Sequence, residues 1–364
     1  MPERTAIATA VAAIATPVTR VPEEVPPEAG GTIAGMPALA PLAPLVFFGT
    51  PEFAVPTLAA LVAAGRAPSL VVTQPPRPAG RGRRPQPPPV ERWAREQGLP
   101  LLHPERVRSP DFLAELRALR PAIAVVVAFG QIFPRELLQL PPHGCLNLHA
   151  SLLPLYRGAA PIQAAIAAGE ERTGVTVMRM EEGLDSGPIL LQAAAPIGAQ
   201  ETAGELGARL STLGARLMVE ALARLERGDL PEQPQDAARA THAPRLSRDS
   251  GRADWSVTAA ELANRWRAYT PWPGLTAELR GAPVKLVRVT VSPPPAPSPA
   301  PSPPGPRGPA EPGTVLGLAA AGLTVACGAG TALAVAELQR PGRKAQRAED
   351  FVNGERLRPG ERFS

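Results

Sequence analysis

Between residues 45 and 228, short apolar runs alternate with stretches whose apolar positions recur at helical spacing. Leu45-Val46-Phe47-Phe48 is continuous and apolar, which predicts a short buried strand running into Gly49-Thr50-Pro51. Leu58, Leu61 and Val62 then share one helical face, and the pattern stops at Gly65. Leu70-Val71-Val72-Thr73 predicts the next strand, and a basic, proline-rich loop follows over residues 77–89. Helices are expected near 90–97 and 111–119. They precede Ile123-Ala124-Val125-Val126-Val127-Ala128, an unbroken run of the kind found in central parallel strands. Further strands are expected at 175–178 and 189–191. A long helix carrying Leu206, Leu210, Leu213 and Leu217 ends near Gly228. Strand–helix alternation of this kind predicts a doubly wound, mostly parallel α/β sheet.

The pattern then changes. Residues 229–250 are polar with scattered prolines, as expected of a linker. Thr258-x-x-Glu261 is a capping-box pattern opening a helix with Leu262, Trp266 and Tyr269 on one face. After Pro271-Trp272-Pro273-Gly274, five short β segments are expected at 275–279, 284–291, 313–318, 323–327 and 333–338, which suggests a small OB-like barrel. Residues 292–312 are almost all Pro, Ala and Ser and predict an extended, solvated insertion between two of those strands. The expected organisation is therefore an Ala/Pro-rich disordered tail (1–43), an α/β domain (44–228), a linker (229–250) and a barrel domain (251–364) containing the insertion. Met36 is a candidate natural start, because the first strand begins soon after it.

Composition narrows the class. A chain of 364 residues with 44% hydrophobic content supports two domains with cores. The net charge of +5 favours an anionic partner only where the positive charge is concentrated. Cys145 and Cys327 make neither a metal pattern nor a disulfide framework; they read as small core residues in a reducing, cytoplasmic compartment, and no metal is expected. No uninterrupted apolar stretch has membrane-spanning length, so no membrane partner is expected. The tail lacks a secretory apolar core, and Glu3, Glu23, Glu24 and Glu28 argue against a transit peptide.

Chemistry concentrates in Gly144-Cys145-Leu146-Asn147-Leu148-His149-Ala150-Ser151-Leu152-Leu153-Pro154 and in Gly183-Leu184-Asp185-Ser186-Gly187. On an extended strand, side chains two apart share a face, so Asn147 and His149 point at one spot. A carboxylate from the Asp185 turn can reach the imidazole there. An amide donor, a histidine and an orienting acid are the parts needed to move an acyl group onto an amine. Singly, each has a bland reading: Asn147 as a turn cap, His149 as a structural histidine, Asp185 as ordinary turn chemistry. Arg77, Arg81, Arg83 and Arg84 fall within eight residues; such a run is either a solvated face or a phosphate-contacting loop. Gly49-Thr50-Pro51 is not a dinucleotide fingerprint.

Together with Phe48-Gly49-Thr50-Pro51-Glu52-Phe53-Ala54, Arg77-Pro78-Ala79-Gly80-Arg81-Gly82, Val126-Val127-Ala128-Phe129-Gly130, Arg157-Gly158-Ala159-Ala160-Pro161, Trp272-Pro273-Gly274 and Leu338-Gln339-Arg340-Pro341-Gly342-Arg343-Lys344, these motifs resemble the methionyl-tRNA formyltransferase family over residues 45–364, apart from the insertion. The resemblance implies a 10-formyltetrahydrofolate donor and, as acceptor, the α-amino group of methionyl initiator tRNA. It implies catalysis by Asn147, which stabilises the oxyanion, by His149, and by Asp185, which holds the imidazole's tautomer and favours its protonated form. Ser151, Leu152, Leu153 and Pro154, with Ala128, Phe129 and Gly130, correspond to the folate-contacting segments. Arg81, with Arg77, Arg83 and Arg84, corresponds to a loop that enters the acceptor stem. Arg343, Lys344 and Arg347 form a second basic cluster for tRNA, and a monomer is expected. Leu155 and Pro76 depart from the family pattern, as does the insertion. Two other readings are a formyltransferase acting on glycinamide ribonucleotide or an amino sugar-nucleotide, and a tRNA-binding module without catalysis. The barrel half weighs against the purine enzyme, and the intact triad against the module.

Overall fold

The computed structural model describes residues 42–79, 84–292 and 310–364. Residues 1–41 of the expected tail, 293–309 of the expected insertion, Arg81 and Arg83 lie outside them. The chain forms two compact units. One takes residues up to 157 together with 174–195 and 207–241; the other takes 158–173, 196–206 and 242–364. These units do not coincide with the expected boundaries. Residues 229–241 of the supposed linker belong to the first unit, where Gln233 and Ile189 exchange backbone hydrogen bonds of 2.8 and 2.9 Å and Glu232 pairs with Arg179. Residues 196–206 belong to the second unit because the buried Arg267 guanidinium takes the carbonyls of Gly198 and Glu201 at 3.1 and 3.2 Å. A charged group taken out of water requires such partners.

Up to Pro196 the strands are β1 (Leu45–Gly49), β2 (Leu70–Val72), β3 (Arg77–Ala79), β4 (Arg84–Gln86), β5 (Leu101–Leu102), β6 (Ile123–Val127), β7 (Cys145–His149), the two-residue β8 (Arg157–Gly158), β9 (Arg172–Arg179) and β10 (Ile189–Pro196). The main sheet has the order β10-β9-β7-β6-β1-β2-β5. The pairs β1–β2, β1–β6, β2–β5 and β6–β7 are parallel and β7–β9 is antiparallel, so the sheet is mostly parallel as expected. Residues 77–79 and 84–86 are not the expected loop. Arg77–Ala79 and Arg84–Gln86 form an antiparallel ribbon, β3 against β4, with Pro78 opposite Pro85. A two-stranded ribbon has only edge strands, where proline's missing N–H is tolerated.

One face of the sheet buries Val46, Phe48, Val72, Ala124, Val126 and Cys145 with Phe112, Leu116, Phe129 and Phe133. Phe48 meets the rings of Phe129 and Phe133 edge-on at 5.4 and 4.9 Å. On the other face Leu148 nests against Gly214 of the helix Ala203–Arg227. A β-carbon at 214 would lie 2.5 Å from Leu148 Cδ2, so only glycine lets the helix approach this closely.

The second unit carries β11 (His242–Ala243), β12 (Leu275–Leu279), β13 (Ala282–Val291), β14 (Val315–Ala319), β15 (Gly322–Ala326), β16 (Ala332–Gln339) and β17 (Gln346–Arg347). The helix Ala259–Tyr269 opens on the expected reciprocal cap between Thr258 and Glu261. The antiparallel sheet has the order β12-β13-β16-β15-β14, with β17 on β16. Its two edges are joined by the last residues of the chain: Leu279 bridges Phe363, Thr314 bridges Arg362, and Glu278 and Ser364 exchange hydrogen bonds of 2.7 and 2.9 Å. The sheet thereby closes into a barrel around Val284, Leu286, Val325, Leu338, Phe351 and Phe363. Closure leaves neither edge strand open to mispairing.

Candidate active site

Strand β7 delivers Cys145, Asn147 and His149 to one face because strand side chains alternate. Cys145 sits deepest. Burial pushes its thiol up to about 12, against a smaller opposing pull from Arg179, so it is a neutral core group and not a nucleophile. Asn147 is half-buried, paired in register with Val126 on β6 and Met178 on β9. Among the described residues its carboxamide has no hydrogen-bond partner, which leaves its N–H pair available to a ligand. His149 ends the strand and is buried.

The two nitrogens of His149 face different groups. Nε2 lies 2.9 Å from the Tyr156 carbonyl oxygen, which can only accept; Nε2 therefore carries the proton of the neutral ring. Nδ1, left with its lone pair, faces the Asp185 carboxylate at 3.7 Å, beyond hydrogen-bond length. The tautomer is thus set by Tyr156 and not by Asp185. This differs from the triad analogy, in which the acid holds the tautomer. Asp185 occupies the left-handed region at φ 49°, at the tip of a turn between β9 and β10. Gly187 permits that turn, since a β-carbon there would collide with the Arg179 carbonyl.

The loop after β7 is held by Thr176 and Gln192. Thr176 Oγ1 donates to the Ser151 carbonyl at 2.6 Å and accepts from the Leu153 N–H at 3.1 Å and from Gln192 Nε2 at 2.9 Å. Gln192 Nε2 also donates to the Leu153 carbonyl at 2.9 Å. Ser151 is buried and donates to the Leu155 carbonyl at 2.6 Å. Of the four loop residues expected to contact folate, Ser151 and Leu153 therefore point inward, and only Leu152 and Pro154 retain partly exposed surface. At the end of β6, Ala128 and Gly130 are exposed with φ 46° and 85°, whereas the Phe129 ring lies in the core. The Phe129 carbonyl accepts from Thr50 Oγ1 at 3.1 Å and Gln74 Nε2 at 2.8 Å, so Phe129 supports the loop and offers no ring to a pterin.

Of the expected basic residues, Arg77 is exposed and donates to Gln74 at 2.7 Å. Arg84 lies on β4, while Arg81 and Arg83 are outside the described residues. On the second unit Arg343, Lys344 and Arg347 are exposed. Sequence reading gave no role to Tyr156, which offers its carbonyl, or to Gln235 and Thr241, whose side chains bond backbone groups of the site; for the latter two the one visible signal is polarity in a segment without periodicity. Among the described residues no group of three His, Cys, Asp or Glu side chains could hold a metal ion, and no helix is long and apolar enough to cross a membrane.

An amide donor beside a histidine and carboxylate, at the carboxyl end of a parallel sheet, defines a class that comparison makes explicit. Residues 44–222 match the formyl transferase family and residues 245–356 match the formyl transferase C-terminal domain. The chain is 46% identical over 316 residues to the methionyl-tRNA formyltransferase of Citrifermentans bemidjiense, covering 87% of this chain and 95% of that one. It belongs to the methionyl-tRNA formyltransferase family. Among solved structures, the N-formyltransferase from Helicobacter canadensis, in complex with folinic acid and dTDP-3-aminofucose, shares the fold with a TM-score of 0.56 at 16% identity, covering 80% of this chain and 97% of that one. HypX from Aquifex aeolicus, in complex with tetrahydrofolic acid, aligns with a TM-score of 0.54 at 16% identity, covering 85% of this chain; the chain spans 46% of HypX.

Proposed function

We propose that this chain transfers the formyl group of 10-formyltetrahydrofolate to the α-amino group of methionyl initiator tRNA, with Asn147, His149 and Asp185 carrying the chemistry. The observation that carries the assignment of roles is the single face of β7, which sets an unpartnered carboxamide two residues from a histidine whose Nδ1 faces a carboxylate. In the reaction the amine nitrogen bonds to the formyl carbon, and negative charge builds on the formyl oxygen. The Asn147 N–H donors suit that oxygen, whose charge exists only in the transition state. The amine must lose a proton, and Nδ1 of His149 is the base placed to take it; the resulting imidazolium faces Asp185. Breaking the bond to folate N10 then requires a proton on that nitrogen, which His149 returns. No covalent enzyme intermediate is needed. Partly exposed Leu152 and Pro154 and the open backbone of Ala128 and Gly130 offer apolar walls and hydrogen-bonding groups to the donor. The reading places the enzyme in the cytoplasm as a monomer.

The test is formyl transfer from 10-formyltetrahydrofolate to charged initiator tRNA. Asn147→Ala and His149→Ala are expected to lose turnover while still binding tRNA. Wild-type turnover in either variant would overturn the role given to that residue.

A further inference from the structure

Residues 233–241, polar and irregular, reach His149 by way of both of its ring nitrogens' partners. Toward Nε2, Thr241 brackets the chain that carries the Tyr156 carbonyl: its N–H donates to Pro154 O at 3.3 Å, its Oγ1 accepts from Tyr156 N–H at 2.8 Å, and its carbonyl accepts from Arg157 N–H at 2.8 Å. Tyr156 sits in the left-handed region at φ 60°. That conformation costs a non-glycine residue roughly 1–2 kcal/mol and persists only where neighbours impose it. Toward Nδ1, Gln235 Nε2 donates to the carbonyls of Asp185 and Gly187 at 2.8 and 2.7 Å, pinning the turn that carries the carboxylate. Its Oε1 accepts from Arg157 Nε and Nη2 at 3.1 and 2.7 Å. These donors fix the amide's orientation, because a flipped Gln235 would set N–H against N–H.

The segment is itself anchored. Gln233 pairs with Ile189 through the backbone, and Asp236 caps the short 3-10 turn Ala237–Arg239 by accepting from Ala238 N–H at 3.0 Å. We infer that Gln235 and Thr241 are positioning residues for formyl transfer: together they hold the Tyr156 carbonyl and the Asp185 turn on opposite sides of His149, so that the neutral ring keeps its proton on Nε2 and presents Nδ1 as the base. The inference rests on His149 and Asp185 being the catalytic pair.

The full chain, with 15N-labelled histidine, separates this role from a structural one. It has four histidines, so the ring nitrogens of His149 can be assigned by comparison with a His149→Ala sample. At a pH where the ring is neutral, the wild-type protein is expected to show the Nε2–H tautomer. Thr241→Val is expected to mix the tautomers and lower kcat about tenfold, the effect of one hydrogen bond, with KM for both substrates near the wild-type value. Thr241→Ser is expected to restore both readouts, and Gln235→Ala to lower kcat by a similar factor. An Nδ1–H tautomer in the wild-type protein would overturn the inference without any variant. So would a folded Thr241→Val with wild-type kcat and tautomer, or a kcat loss that serine does not restore. Wild-type turnover in His149→Ala would instead remove the catalytic pair on which the inference depends, which distinguishes the two failures.

Discussion

His149 has a proton fixed at one nitrogen by a backbone carbonyl and a carboxylate standing off from the other. In hydrolytic triads the acid holds the tautomer, so its amide variant presents the wrong nitrogen. Here the Tyr156 carbonyl faces Nε2, and in the proposed mechanism Asp185 contributes charge alone. Asp185→Asn should therefore keep the tautomer and the fold but lose the attraction between a carboxylate and an imidazolium formed at Nδ1. At this separation and an effective dielectric near 20, that attraction is worth roughly 4 kcal/mol. With solvent taking back part of it, kcat is expected to fall about 10²- to 10³-fold while folate affinity stays near wild type. Single-turnover transfer measured beside equilibrium folate binding checks this; an unchanged rate would mean the carboxylate is a turn residue. Asn147, His149 and Asp185 were visible in the chain because strand alternation is a strict period and the motif residues are chemically distinctive. Gln235 and Thr241 were not visible, because the groups of the site that they hold are backbone atoms, which every sequence possesses.

Strands with continuous apolar runs, such as Ile123–Val127, were readable from pattern because both faces of a parallel strand are buried. The ribbon of 77–79 and 84–86 was not: prolines 78 and 85 read as loop, and their pairing across a two-stranded sheet accommodates them. The closing contacts at 362–364 were equally hidden, since so short a piece has no period. Two ion pairs also lie on the barrel unit. Arg280, between β12 and β13, holds Glu361 through hydrogen bonds of 2.7 and 2.8 Å, and Arg340, after β16, holds Glu355 at 3.1 and 2.8 Å. In each case the arginine is the main cause that lowers the carboxyl from its ordinary 4.5. A carboxyl lowered on folding contributes stability above its unfolded value, and that contribution is lost as pH falls through the folded value. The paired Glu355→Gln and Glu361→Gln variant should accordingly melt lower than wild type at pH 7 and decline less steeply below pH 4.5. Thermal midpoints across that range decide it; parallel curves would mean the pairs contribute nothing measurable, as many exposed ion pairs do.

Across the whole molecule, a net charge of +5 says little until the cations are sorted by what they already hold. Within Leu338-Gln339-Arg340-Pro341-Gly342-Arg343-Lys344 the chain offers three similar cations, and nothing in their order separates them. The structure does. Arg340 is bound to Glu355 and stacked over Phe351 at 5.7 Å, whereas Arg343 and Lys344 are exposed and, among the described residues, have no ion-pair partner. A cation already paired with a carboxylate releases no counterions from an incoming phosphate, so if this surface meets tRNA as proposed, only the second kind would contribute to the salt dependence of binding. Replacing Arg343 and Lys344 by alanine should then reduce the slope of log K against log[salt] by about 0.7–0.9 for each phosphate no longer neutralised, with folate affinity and turnover at saturating tRNA unchanged. Arg340→Ala should instead lower the melting temperature, because it leaves Glu355 unpaired, and should alter the salt slope little. Binding isotherms for charged initiator tRNA at several salt concentrations separate these outcomes. An unchanged slope in the Arg343→Ala, Lys344→Ala protein would take these two residues out of the tRNA interface and leave Arg77 on β3 among the remaining described candidates for phosphate contact.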